Sequence, residues 1–145
     1  MKKRAVAAAL CLTLPAAPHA QGGSASLTVA ITGLKSNKGV VRLALCPAGA
    51  GFPDCGAKAV KTASLLISGG TAQTVLTGLT PGTYAVSSFH DANSNGKLDT
   101  FGGIPREGFG FSGNPALKPR APKFAECQLA VAGDGSTTIR MRHIL

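Results

Sequence analysis

The chain has 145 residues, 44% of them hydrophobic and 14% charged, with 15 Lys and Arg against 6 Asp and Glu. That is the size of one domain with one core, too apolar for a disordered chain, and it lacks the roughly 20-residue apolar run that a membrane-spanning helix needs. The net charge of +9 attracts anions in general, but the bases are scattered and few aromatics lie among them, which argues against nucleic acid as a partner.

Lys2, Lys3 and Arg4 open the chain, an apolar run follows over 5–14, and PAAPHAQ ends it in small residues. This is the pattern of a secretory signal peptide over 1–20, cut after Ala20. It predicts a periplasmic or secreted protein whose single mature domain spans 21–145. Cys11 is not a lipidation site, because Leu10 stands where a small residue is required and the position falls too early. Without Lys2, Lys3 and Arg4 there remain 12 bases against 6 acids, a net charge of +6 that serves solubility.

Two-residue alternation then recurs between Gly, Pro and Asn punctuation, and helical periodicity is missing. Leu27, Val29 and Ile31 alternate with polar or small residues; after the turn signal SNKG, Val41, Leu43 and Leu45 alternate with Val40, Arg42 and Ala44. Shorter strands are expected over 58–66 and 72–76, a strong one over 83–90, and two more over 123–131 and 136–143, joined by AGDG as a hairpin. In the last strand Ile139 and Met141 face in while Arg140 and Arg142 face out. About seven strands with Gly-rich turns predict an all-β, antiparallel β-sandwich of immunoglobulin-like or transthyretin-like type. LTPGTYAV adds the spacing of a tyrosine corner in Pro81, Gly82 and Tyr84, the only tyrosine of the chain, which gives Tyr84 a structural role.

Cys46, Cys55 and Cys127 remain after processing. An oxidising compartment favours pairing. Cys46 and Cys55 bracket the Pro- and Gly-rich PAGAGFPD, and closing so short a loop stabilises by about 2 to 3 kcal/mol. Cys127, in phase with Ala125, Leu129 and Val131, reads as an inward strand position carrying a buried thiol. No zinc spacing is present.

From 91 to 122 about 32 residues lack strand pattern, a length that marks a functional loop or disorder. Phe101, Ile104, Phe109 and Phe111 are too apolar for disorder, so one long, ordered loop is expected. It opens on HDANSNGKLDT. Asp91, Asn93 and Asn95 take the first, third and fifth places of a calcium loop, Gly96 the turn, the Lys97 carbonyl the seventh place and Asp99 the ninth. Gly102 stands at the twelfth place in lieu of glutamate, and Glu107 is the carboxylate that could fold back. Such a site would hold Ca²⁺ weakly, at about 10⁻⁴ to 10⁻³ M. The alternative is an Asx-rich turn whose side chains bond local backbone. GFGFSG has the glycine spacing of a dinucleotide loop without the βαβ unit that would use it.

The run FHDANSNGKLDTFGGIPREGFGFSGN, preceded by LTPGTYAV, resembles the bacterial secreted family called domain of unknown function 2141. Its members carry HD, an Asn and NGKLD, then GIP, an E and GFGFS in this order, which here are His90, Asp91, Asn93, Asn95, Gly96, Asp99, Gly103, Ile104, Pro105, Glu107 and Gly108 through Phe111. The resemblance spans roughly 27–145 and implies an exported β-sandwich from a bacterium, with no activity attached. The loop between Cys46 and Cys55 lies outside the motifs that carry it.

The function expected is a non-enzymatic exported binding or structural module for an envelope or extracellular ligand, with a weak Ca²⁺ site in the loop. The alternative is an envelope hydrolase of glycans or peptides acting through His90, Asp91 and Glu107. Strand neighbours point to opposite faces, which weighs against His90 and Asp91 acting directly on each other.

Overall fold

The computed structural model describes residues 24–145; the expected signal peptide, 1–20, lies outside the described residues. Ten strands follow in order: β1 (Ala25–Thr32), β2 (Val40–Pro47), β3 (Lys61–Leu66), β4 (Ala72–Leu79), β5 (Gly82–Asp91), β6 (Thr100–Phe101), β7 (Ile104–Pro105), β8 (Phe109–Phe111), β9 (Leu129–Val131) and β10 (Asp134–Arg140). A 3-10 turn, Gly56–Lys58, precedes β3, and one short helix, α1 (Phe124–Cys127), precedes β9. Among the described residues no helix is long and apolar enough to cross a membrane.

The strands form two main sheets. One has the order β10-β1-β4; the other has the order β3-β2-β5-β8, with β9 sharing the β8 edge of β5. Alternation decides which faces meet: Leu27, Val29 and Ile31 of β1, Val41, Leu43 and Leu45 of β2, Val86 of β5 and Ile139 of β10 are buried in a single cluster drawn from both sheets. Burying each such side chain contributes about 1.5 to 3 kcal/mol before entropy is counted. Tyr84 closes one end, its hydroxyl donating to the Thr80 carbonyl at 2.5 Å across the Pro81–Gly82 turn.

Four expectations change. The fold is mostly β, but β1 pairs β10 in parallel, from Ser26 beside Asp134 to Thr32 beside Arg140, so the architecture is not purely antiparallel. AGDG does not close a hairpin, because β9 pairs β5 while β10 crosses to β1. The strand expected over 123–131 begins as helix α1, since the Glu126 carboxylate accepts the Lys123 backbone N–H at 2.7 Å and ties Lys118 and Arg120 at 2.6 and 2.8 Å. Cys127 is nonetheless buried and free; burial, then the nearby Glu126 charge, pushes its thiol up to about 11. Ala125 is exposed, out of the expected phase.

The fourth change bears on function. The segment 91–122 is not strandless: β6 and β7 pair as a hairpin around Gly102 and Gly103, and β8 joins the main sheet beside β5. Phe109 also exchanges backbone hydrogen bonds with Arg142 at 3.0 and 2.7 Å, so β8 links the second sheet to the chain leaving β10 in the first. Gly110 makes this possible. A Cβ there would fall 2.6 Å from Ile139 Cγ2 and 3.1 Å from the Arg140 carbonyl.

Gly110→Ala is therefore expected to lower stability by about 1 to 3 kcal/mol, the usual cost of overpacking, read as a lowered denaturant midpoint. An unchanged midpoint would show that β8 can retreat from β10.

Candidate functional site

The β2–β5 register places Val40 opposite Asp91 and Arg42 opposite Phe89, so Arg42 and Asp91 are diagonal neighbours on the outer face of the sheet. Arg42 Nε lies 2.5 Å from Asp91 Oδ2, and its Nη1 donates to Ser64 Oγ at 3.2 Å. Asp91 has no exposed surface, whereas the Arg42 side chain is 35% exposed. The remaining acceptor capacity of Asp91 goes to the loop, with Oδ1 accepting the Asn95 N–H at 3.0 Å and Oδ2 the Gly96 N–H at 2.9 Å. Gly96 takes φ +81°, which lets the backbone turn its amide back to the carboxylate. Burial would raise the Asp91 pKa, but the bonds from Arg42, Gly96 and Asn95 outweigh it and hold the carboxyl below its ordinary value.

Glu107 does return to the loop, as a clamp on backbone. Its Oε1 accepts the Ala92 N–H at 3.1 Å and its Oε2 the Asp99 N–H at 3.0 Å, so one side chain fastens both ends of 92–99. Between them the polar side chains satisfy one another. Asp99 accepts from Asn93 Nδ2 at 2.7 Å and from Asn95 Nδ2 at 2.8 Å, while Asn93 Oδ1 accepts the Asn95 N–H and Asn95 Oδ1 the Lys97 N–H. Among the described residues no group of three or more His, Cys, Asp or Glu side chains is placed to hold a metal ion. The six expected cation ligands, Asp91, Asn93, Asn95, Lys97, Asp99 and Glu107, are thus joined in one hydrogen-bonded network, and a guanidinium sits on the most buried of them.

The three residues of the hydrolase reading do not converge. His90 turns to the inner face, where Nε2 meets the Lys38 carbonyl at 2.7 Å, while Asp91 faces out to Arg42 and Glu107 is spent on two backbone amides. Ser112 is fully buried, donating to the Cys127 carbonyl and accepting the Val86 N–H, a structural joint rather than a nucleophile. His143 Nε2 is buried and has no hydrogen-bond partner among the described residues. Burial, with the charges of Lys35 and His90, lowers its pKa and favours the neutral ring.

What the loop does build is one wall of a cleft. The outer face of β3, β2, β5 and β8 carries a depression of about 820 Å³, floored by Arg42, Ala44, Ser64, Ser87 and Phe89, and bounded by Lys97 and Leu98 on one side and Pro53 to Gly56 on the other. The second wall is the disulfide loop: Cys46 and Cys55 are bonded, with Cα atoms 5.8 Å apart. Phe52 fastens it, packing edge-on against Phe111 at 5.8 Å and Phe124 at 6.1 Å. Arg42 and Phe52 were missed as site residues. Arg42 read as an ordinary outward position on a strand, and the only signal was its diagonal partnership with an aspartate 49 residues away.

Replacing Arg42 by Ala leaves a buried carboxylate without its cation. The expected loss is about 2 to 3 kcal/mol, below that of a fully enclosed pair because Arg42 is partly solvated. The folded pKa of Asp91 lies below the unfolded one, so its stabilisation is fully present above about pH 4 and is lost as pH falls through the folded value. In Arg42→Ala that acid-side loss should begin at higher pH, since burial then meets less opposition. Urea midpoints of both proteins between pH 2 and pH 7 test this; superimposable profiles would show that the pair holds nothing.

A family model described as an uncharacterized protein conserved in bacteria (DUF2141) matches residues 29–140. Comparisons with curated proteins and with solved structures give no match. The matched segment takes in both sheets, the clamped loop and the cleft they wall, and the chain belongs to the bacterial family DUF2141.

Proposed function

We propose that this chain is an exported binding module whose recognition surface is the cleft on the outer face of the β3-β2-β5-β8 sheet. The observation that carries it is the cleft itself: about 820 Å³, within the roughly 300 to 1,000 Å³ usual for ligand sites, and walled by two loops that are each fastened separately. Ala44 and Ser87, a small cross-strand pair on the floor, lie next to the pair of Arg42 and Phe89. The disulfide between Cys46 and Cys55 suits an oxidising compartment, in keeping with the basic and apolar leader. The two facing sheets suit an immunoglobulin-like sandwich with one parallel strand pair.

A thermal-shift panel of envelope-derived ligands, comprising peptidoglycan fragments, oligosaccharides, peptides and amphiphiles, tests the reading against Ala44→Trp, which fills the floor. A ligand present at 100 times its Kd stabilises the folded state by about 2.7 kcal/mol. At least one should raise the midpoint of the wild type and leave Ala44→Trp unmoved. A panel in which no ligand separates the two proteins would overturn it.

Calcium is a second reading, favoured by the gathering of Asp99, Asn93 and Asn95 side chains at the exposed mouth of the loop and by the return of Glu107. The ion would have to displace the amide groups from Asp99. A midpoint that rises in millimolar calcium, falls with chelator and is insensitive to both in Asp99→Ala supports this; equal midpoints in the wild type exclude it.

A further inference from the structure

Beside the cleft lies a second depression, of about 610 Å³, between the β6–β7 hairpin and the segment 115–122. Its character differs. Ile104, Leu117 and Ile144, 43, 51 and 50% exposed, line it together with Pro105, Pro115 and Pro119. The charged groups along it, Lys118, Arg120 and Glu126, satisfy one another at 2.6 and 2.8 Å. Pro53, Leu98, Phe109 and Phe111 line both depressions, so the apolar slot and the polar cleft meet along these four side chains.

Polarity therefore changes along one continuous surface. At the cleft end Lys97 is exposed and makes no ion pair among the described residues. Arg42 uses two of its five N–H donors, on Asp91 and Ser64, and is held in place by them. Asp54, the acid on the cleft lining, already accepts the Gly56 N–H at 3.2 Å. At the slot end the exposed groups are aliphatic, and large apolar side chains gathered at a concave surface mark a binding site rather than a solvated face.

We infer that this surface binds a single-chain carboxylate amphiphile of the fatty-acid class, an assignment that rests on the cleft being the recognition surface. The carboxylate meets the pre-oriented Arg42 guanidinium and Lys97; the alkyl chain crosses the rings of Phe109 and Phe111 into the slot of Ile104, Leu117 and Ile144. A fixed guanidinium suits a carboxylate because its planar fork matches two oxygens. The mature net charge of +6 favours an anionic head over a neutral one. Each further CH₂ buried should tighten binding about fourfold.

Calorimetric titration of the mature protein with dodecanoate, below its micelle concentration, tests this beside three comparisons. Octanoate shortens the tail, butyrate removes it, and dodecyl maltoside keeps it under a neutral head. Dodecanoate should bind at least tenfold more tightly than octanoate or dodecyl maltoside, with no measurable heat from butyrate. Lys97→Ala and Leu117→Ser, both at exposed positions and checked for folding by circular dichroism, should each weaken dodecanoate about tenfold. Absent binding, equal affinity for charged and neutral heads, or wild-type affinity in both variants would overturn the assignment. If dodecanoate fails while another ligand still separates wild type from Ala44→Trp, only the ligand class falls; if none does, the cleft reading falls with it.

Discussion

A carboxylate without exposed surface must be neutralised by the protein, because removing it from water unpaired costs several kcal/mol. Asp91 is such a group, and the geometry of the loop follows from its needs. Arg42 meets its charge, while the amides of Asn95 and Gly96 meet its remaining lone pairs. The backbone can bring those two amides to one carboxylate only by turning sharply at Gly96. Glu107 repeats the principle from the other side, spending both oxygens on amides at the two ends of the same turn.

These contacts make the loop a wall rather than a lid. Ion pairs at a protein surface contribute little by themselves, but here one partner is buried and the other is also tied to Ser64 on β3, so the lock spans three adjacent strands. The facing wall is held by unrelated chemistry, a covalent bond at its base and Phe52 among aromatic rings at its side. A concave surface bounded by two separately fastened loops needs little ordering, which would limit the entropy cost of the binding proposed for it.

Most of the β architecture was legible in the chain because alternation over six to ten residues is a strong signal, as in Leu27, Val29, Ile31 and in Val41, Leu43, Leu45. The pairing was not. Parallel registry of β1 with β10 depends on which sheet each strand joins, which local patterning does not encode. Phe109 and Phe111 do alternate around Gly110, but three residues are too few to distinguish a strand from a loop, and Gly110 serves a close approach to Ile139 that only the fold reveals. In the site the oxygen-bearing residues were visible from spacing, and Glu107 was visible as the one carboxylate able to return. Their grouping with Arg42 was hidden, since an outward arginine on a strand is ordinarily a solvated charge.

The pairing of β1 with β10 has a kinetic meaning. Ser26 and Asp134, bonded at 2.7 Å, are 108 residues apart, so β1, which can pair β4 on one edge early, finds the partner for its other edge only when almost all of the described chain is available. Chains dominated by such distant pairings fold slowly, because closing the large loop costs entropy before the contacts form. A chain emerging through a narrow exit would keep β1 with one edge unmatched until its last strand followed. Completion of the first sheet thus waits on its last strand: β4 can join β1 early, but the parallel edge of β1, and the link from Arg142 back to β8, close only once β10 is in place.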